Sequence, residues 1–152
     1  MNNETAAINT LKYFNGAYHC AEAVACGVAE ALGLEDPHGL ARNVAAFGGG
    51  IGKTEEELCG ALSGALMILG HLEGRHGPSS CWQDMADRAT ELRSRFVELH
   101  GCTRCGELLD RMGQQTDMDK CRELAARTAT ILTDMLRTRT EPCKSKENVS
   151  CC

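Results

Sequence analysis

The chain is rich in residues that prefer helices and poor in those that prefer strands. Eighteen Ala and 16 Leu stand against nine Val and Ile in 152 residues. No stretch alternates apolar and polar side chains for long enough to make a strand. The expectation is an all-α fold, a single compact bundle of about five to six helices with a Gly-rich loop before the central helix. A chain of this length makes one domain and buries roughly 70% of its unfolded surface, so it needs neither disulfide nor metal merely to fold.

Periodicity and punctuation place the helices. Ile8, Leu11 and Phe14 share one face of a first helix that Asn15-Gly16 ends. A second spans residues 21–32, closed by Gly33. A third opens at Asp36-Pro37 and runs to about Phe47. The glycines at 48, 49, 50 and 52 make a tight connection. Thr54 and Glu57 then form a capping-box signature for a helix reaching about Leu72. Ser80 with Gln83 caps the next, which turns Trp82, Met85, Ala89, Leu92, Phe96 and Leu99 inward as far as Gly101. A short element around 105–109 precedes a last helix over 118–138, with Leu124, Ile131 and Met135 inward. The helical domain covers residues 1–139, and 140–152, lacking apolar periodicity, is a flexible tail carrying Cys143, Cys151 and Cys152.

Charge and composition exclude several partners. Sixteen basic against 21 acidic residues, with 4% aromatics, speak against a nucleic-acid face. The longest nearly apolar run, residues 60–70, is too short to span a bilayer, so direct membrane insertion is not expected. The first residues carry neither a basic nor an apolar signal region, and a soluble, cytoplasmic protein is the expectation. Phe47-Gly48-Gly49-Gly50-Ile51-Gly52-Lys53-Thr54 has the look of a phosphate-binding loop. It lacks the first glycine of that pattern and a preceding strand, and three Glu follow at once, so nucleotide binding is rejected.

Ten cysteines in such a chain are more naturally metal ligands or redox groups than structural bridges. Cys59 falls about one turn into the helix expected from Thr54, where unpaired amides favour a thiolate. It is followed by Gly60 and Gly64, whose spacing suits close helix packing. Cys102-Thr103-Arg104-Cys105 is a C-x-x-C pair of the kind used by zinc, iron–sulfur and dithiol sites. His100 beside it reads as an exposed helix-end residue, and His19, His71 and His76 lack metal-ligand spacing. No C-x-x-C-H haem motif is present.

The succession Phe14-Asn15-Gly16, Cys20-Ala21-Glu22-Ala23-Val24, the run 47–52 and Cys59-Gly60-Ala61-Leu62-Ser63-Gly64-Ala65-Leu66-Met67 closely resembles the C_GCAxxG_C_C family, described as redox-active. The likeness continues through Phe96, Cys105-Gly106-Glu107-Leu108-Leu109 and Cys121, covering roughly residues 8–135. By position, Cys20, Cys59, Cys105 and Cys121 match the family's four cysteines, with Cys102 as a substitute third ligand. The resemblance implies a small helical redox domain in a family often linked to transporter loci. A related domain of split-Soret cytochromes accompanies haem and an iron–sulfur centre, and the haem half does not transfer to this chain.

Four thiols from separated segments have two chemical uses. Converging on one centre, they would bind an iron–sulfur cluster or, alternatively, zinc. Lying in pairs, they would form reversible disulfides without any cofactor. Cys59 and Cys105 are the candidate redox-active thiols, with the backbone of Gly49, Gly50, Gly52 and Gly60 close to them. Iron–sulfur electron transfer leads, ahead of thiol exchange, and either would need a redox partner protein. The alternatives are a non-redox helical module for a transporter-associated protein, with structural zinc or incidental buried cysteines, and a thiol enzyme for which no base can be named. Helices bearing small residues also suit a homodimer.

Overall fold

A computed structural model describes residues 3–78 and 82–138. Among them are seven α-helices, where about five to six were expected: α1 (Asn3–Tyr13), α2 (Cys20–Leu32), α3 (Pro37–Arg42), α4 (Gly60–Glu73), α5 (Gln83–His100), α6 (Cys105–Met112) and α7 (Asp119–Arg137). The fold is all-α. Ser80, Cys81 and the expected tail from residue 140 lie outside the described residues.

Packing centres on α2, which touches α1, α3, α4 and α7. It begins where the His19 N–H donates to Glu22 Oε2 at 3.1 Å and stops at Gly33, in the left-handed region at φ 68°. Ala21 and every residue from 23 to 29 are buried, so α2 is enclosed on nearly all sides. Two glycines set how closely its neighbours approach. A Cβ on Gly27 would lie 2.5 Å from the Thr10 nitrogen of α1, and one on Gly64 of α4 would overlap the Ala21 carbonyl. The four-residue spacing of small side chains therefore packs backbone against backbone.

That close crossing overturns the expected face of α1. Ala6, Thr10 and Phe14 turn inward at i, i+4 spacing, while Ile8 and Leu11 are exposed. Only slim side chains fit beside Gly27. On α5 just Leu92 and Phe96 are buried, and Trp82 and Leu99 face outward. This helix packs mainly on α4 and α7, at the rim of the bundle, and buries a narrower stripe than its periodicity suggested. On α7, Leu124 and Met135 are buried and Ile131 half-buried. Arg88 ties three helices together, its Nε 2.9 Å from Glu73 of α4 and its Nη2 2.8 Å from the Met135 carbonyl of α7.

The largest departures fall between α3 and α4. The third helix ends at Arg42, and a single 3₁₀ turn over Ala45–Phe47 replaces its expected continuation. Gly49, Gly50, Ile51, Gly52 and Lys53 then all adopt positive φ, between 58° and 67°, giving one left-handed turn. Thr54 does not cap a helix. Its Oγ1 donates to the Gly50 carbonyl at 2.6 Å, closing that turn, and α4 starts six residues later with Cys59 as its N-cap. No helix among the described residues is long and apolar enough to cross a membrane.

Candidate redox site

Cys20, Cys59, Cys105 and Cys121 line one cavity of about 710 Å³. Each stands at the start of a different helix. Cys20 is the first residue of α2, Cys59 the N-cap of α4, Cys105 the first residue of α6 and Cys121 the third of α7. Four helix N-termini, each the positive end of a helix dipole, thus meet around the sulfurs.

Local sequence explains how each thiol is delivered. Cys20 and Cys59 come together because Gly60 has no side chain, and a Cβ there would overlap Cys20 Sγ. Cys59 and Cys105 are joined by a short antiparallel contact at Leu58 and Arg104. The Cys59 N–H donates to Thr103 O at 2.8 Å and the Cys105 N–H to Glu57 O at 2.9 Å. The residues between the two members of the C-x-x-C pair therefore work as a strap that holds α6 beside α4. Gly50 lets the left-handed turn lie on Cys105, for a Cβ there would be 2.7 Å from that of the cysteine. Cys121 is gripped by Gln115, whose Nε2 donates to Sγ at 3.3 Å while its Oε1 accepts from the Cys121 N–H at 3.1 Å.

Burial outweighs the helix fields. It pushes the Cys59 thiol up to about 12, with the neighbouring Cys20 adding to the rise and the amides of Leu62 and Ala61 opposing it. Cys105 is pushed up to about 11, first by burial and then by Cys20 and Cys121. Cys121 is also raised by burial, against the pull of the Gln115 hydrogen bond. The expectation of a ready thiolate at Cys59 is corrected on both counts: it caps the helix instead of lying within it, and desolvation dominates. Cys20, Cys59, Cys105 and Cys121 are free of disulfides. Among the described residues, no three His, Cys, Asp or Glu side chains are grouped so as to hold a metal ion.

The other expected residues divide. Gly49 and Gly60 line the cavity, whereas Gly50 backs Cys105 and Gly52 faces open space. Cys102 is half-buried and does not line the cavity, so the third position there is filled by Cys105. Cys26 is buried elsewhere, its Sγ 3.7 Å from His38 Nδ1. His100 is not exposed: it is half-buried, stacks on Phe96 at 4.6 Å and has a shielded Nε2 without a hydrogen-bond partner. Cys81, Cys143, Cys151 and Cys152 lie outside the described residues. Gln115 and Arg122 also line the cavity, and neither belongs to a spacing that would have marked it beforehand.

No curated protein and no solved structure matches the chain. Residues 18–135, however, match the sequence profile of the family described as "Putative redox-active protein (C_GCAxxG_C_C)", a span that contains all four cavity cysteines. The chain belongs to the C_GCAxxG_C_C family.

Proposed function

We propose that Cys20, Cys59, Cys105 and Cys121 act together as a one-electron redox centre by holding an iron–sulfur cluster. The observation that carries this reading is the meeting of four free thiols, from four helix N-termini, around a single cavity. A cluster held by four cysteines is anionic, and helix starts favour negative charge. A single tetrahedral zinc with Zn–S near 2.3 Å would need sulfurs about 3.8 Å apart. The cavity, at about 710 Å³, has room for the larger cluster. The donor set is all thiol, a pattern that iron–sulfur clusters share with zinc and Cu(I) sites.

When bound, the cluster would supply reversible one-electron transfer to a partner protein. The chain would contribute the four ligands, and binding would release their protons because thiolates are the ligating form. Gln115 Nε2 would donate to the Cys121 sulfur, and the Ala61 and Leu62 amides would favour charge on Cys59. Leu108, Leu124 and Phe14 would limit access of water.

One observation favours a second reading: the strap that pairs residues 57–59 with 103–105 makes Cys59 and Cys105 diagonal neighbours. These two could be oxidised to a disulfide, releasing two electrons and two protons to an acceptor protein. Anaerobic purification separates the two. Absorbance between about 320 and 460 nm with stoichiometric iron and sulfide supports the cluster. A colourless, iron-free protein that loses two free thiols on mild oxidation supports the disulfide, and one that shows neither sinks both.

A further inference from the structure

The cavity offers more than four sulfurs. At about 710 Å³ it falls within the range of small organic-ligand sites, roughly 300–1,000 Å³. One side of it is an apolar wall built by Leu108, Leu109 and Met112 of α6 with Leu124 of α7. Its charged side chains divide by depth. Lys53, Glu55 and Asp117 are exposed at the rim, whereas Arg122 is half-buried. The Arg122 Nε is shielded from solvent and has no hydrogen-bond partner. A buried donor left bare costs about 1–3 kcal/mol, more for a charged group, unless a ligand accepts from it.

We propose that the cavity binds a small organic anion, an apolar body carrying a carboxylate, with Arg122 as the anchor for its charge. The apolar body lies on the α6–α7 wall and the carboxylate accepts from Arg122 Nε. The helix starts around the cavity favour the same sign of charge. This deepens the redox reading, on which its chemical meaning rests, by giving the class of molecule that reaches the cysteines.

The test is a fluorescence titration of the reduced protein, as purified, with dansylglycine and with neutral dansylamide. Dansylglycine should bind saturably with blue-shifted, enhanced emission, and more tightly than dansylamide. Arg122→Gln should weaken dansylglycine about tenfold or more, the loss of one charge-assisted hydrogen bond, and leave dansylamide unchanged. Arg122→Lys should fall between, and circular dichroism of both variants checks that the fold is kept. In the reduced, metal-free protein, saturating dansylglycine should also slow alkylation of Cys20, which locates the anion in the cavity. No binding, equal affinity for the two probes, an unchanged affinity in Arg122→Gln or undiminished alkylation would each overturn the proposal. Iron, sulfide and thiol counts on the same sample test the redox reading separately, so failure of one is not read as failure of the other.

Discussion

Cys20 Sγ occupies the space that a methyl group on Gly60 would need. The same absent methyl would also press on the Phe47 carbonyl oxygen at 3.0 Å. Replacing Gly60 by Ala should therefore cost about 1–3 kcal/mol through overpacking and push Cys20 away from Cys59. The melting temperature should fall, and on the proposed cluster reading the iron content should fall with it.

Gly64→Ala separates packing from chemistry. The added methyl, on the turn after Gly60, would meet the backbone carbonyl of Ala21, so α2 and α4 must part. A melting temperature lowered by at least several degrees is expected, with iron content per folded molecule less affected than in Gly60→Ala.

The four cavity cysteines should be individually indispensable. Ala at Cys20, Cys59, Cys105 or Cys121 should remove most of the visible absorbance and bound iron. Cys102→Ala should retain both, because Cys102 does not line the cavity. Equal losses in all five variants would make the C-x-x-C pair, instead of the cavity set, the working unit.

In the metal-free protein, protonation should be visible as alkaline sensitivity. Cys59 is held near 12 by burial, against an ordinary value of 9.0. Below pH 9 the thiol is neutral in both states, and its contribution to stability is fully present. Between about pH 9 and 12 the unfolded chain ionises first, so that stability is lost. Urea midpoints at pH 8 and pH 10.5 should differ more in the wild type than in Cys59→Ala. Iodoacetamide at neutral pH should modify Cys59 last among the cavity thiols, since burial and protonation both protect it.

Ile51 is a β-branched residue in the left-handed region at φ 67° and is exposed. Ile51→Gly should stabilise the protein by about 1 kcal/mol, the relief of αL strain exceeding the glycine's extra unfolded-state entropy. A melting temperature higher by roughly 2–4 °C checks it.

Much of the helical plan was legible because it rests on local rules. Gly33 ends α2, and Asp36-Pro37 opens α3 with the Asp36 carboxylate accepting from the Gly39 N–H at 2.9 Å. The start of α4 was not legible. Thr54 and Glu57 carry the right side chains for a cap, but the preceding left-handed turn and the strap to residues 103–106 hold that stretch out of a helix. The strap is a long-range contact that spacing along the chain does not register. The face of α1 was misread for a similar reason: Gly27, far along the sequence, decides that Thr10 and not Leu11 turns inward. At the site, the four cysteines were identified by resemblance, and their separations of 39, 46 and 16 residues carried no geometry. Gln115 and Arg122 were silent, since a hydrogen bond to sulfur and a shielded guanidinium leave no mark on composition.

Because every thiol enters at the head of a different helix, no fragment of the chain can own the complete site. Removing any one of α2, α4, α6 or α7 takes a cavity thiol with it, and assembling three of them leaves the set of four unfinished. Under the proposed cluster reading, occupancy would then be an all-or-nothing readout of the finished tertiary structure, and a nascent or damaged chain would be kept from partial chemistry by architecture alone.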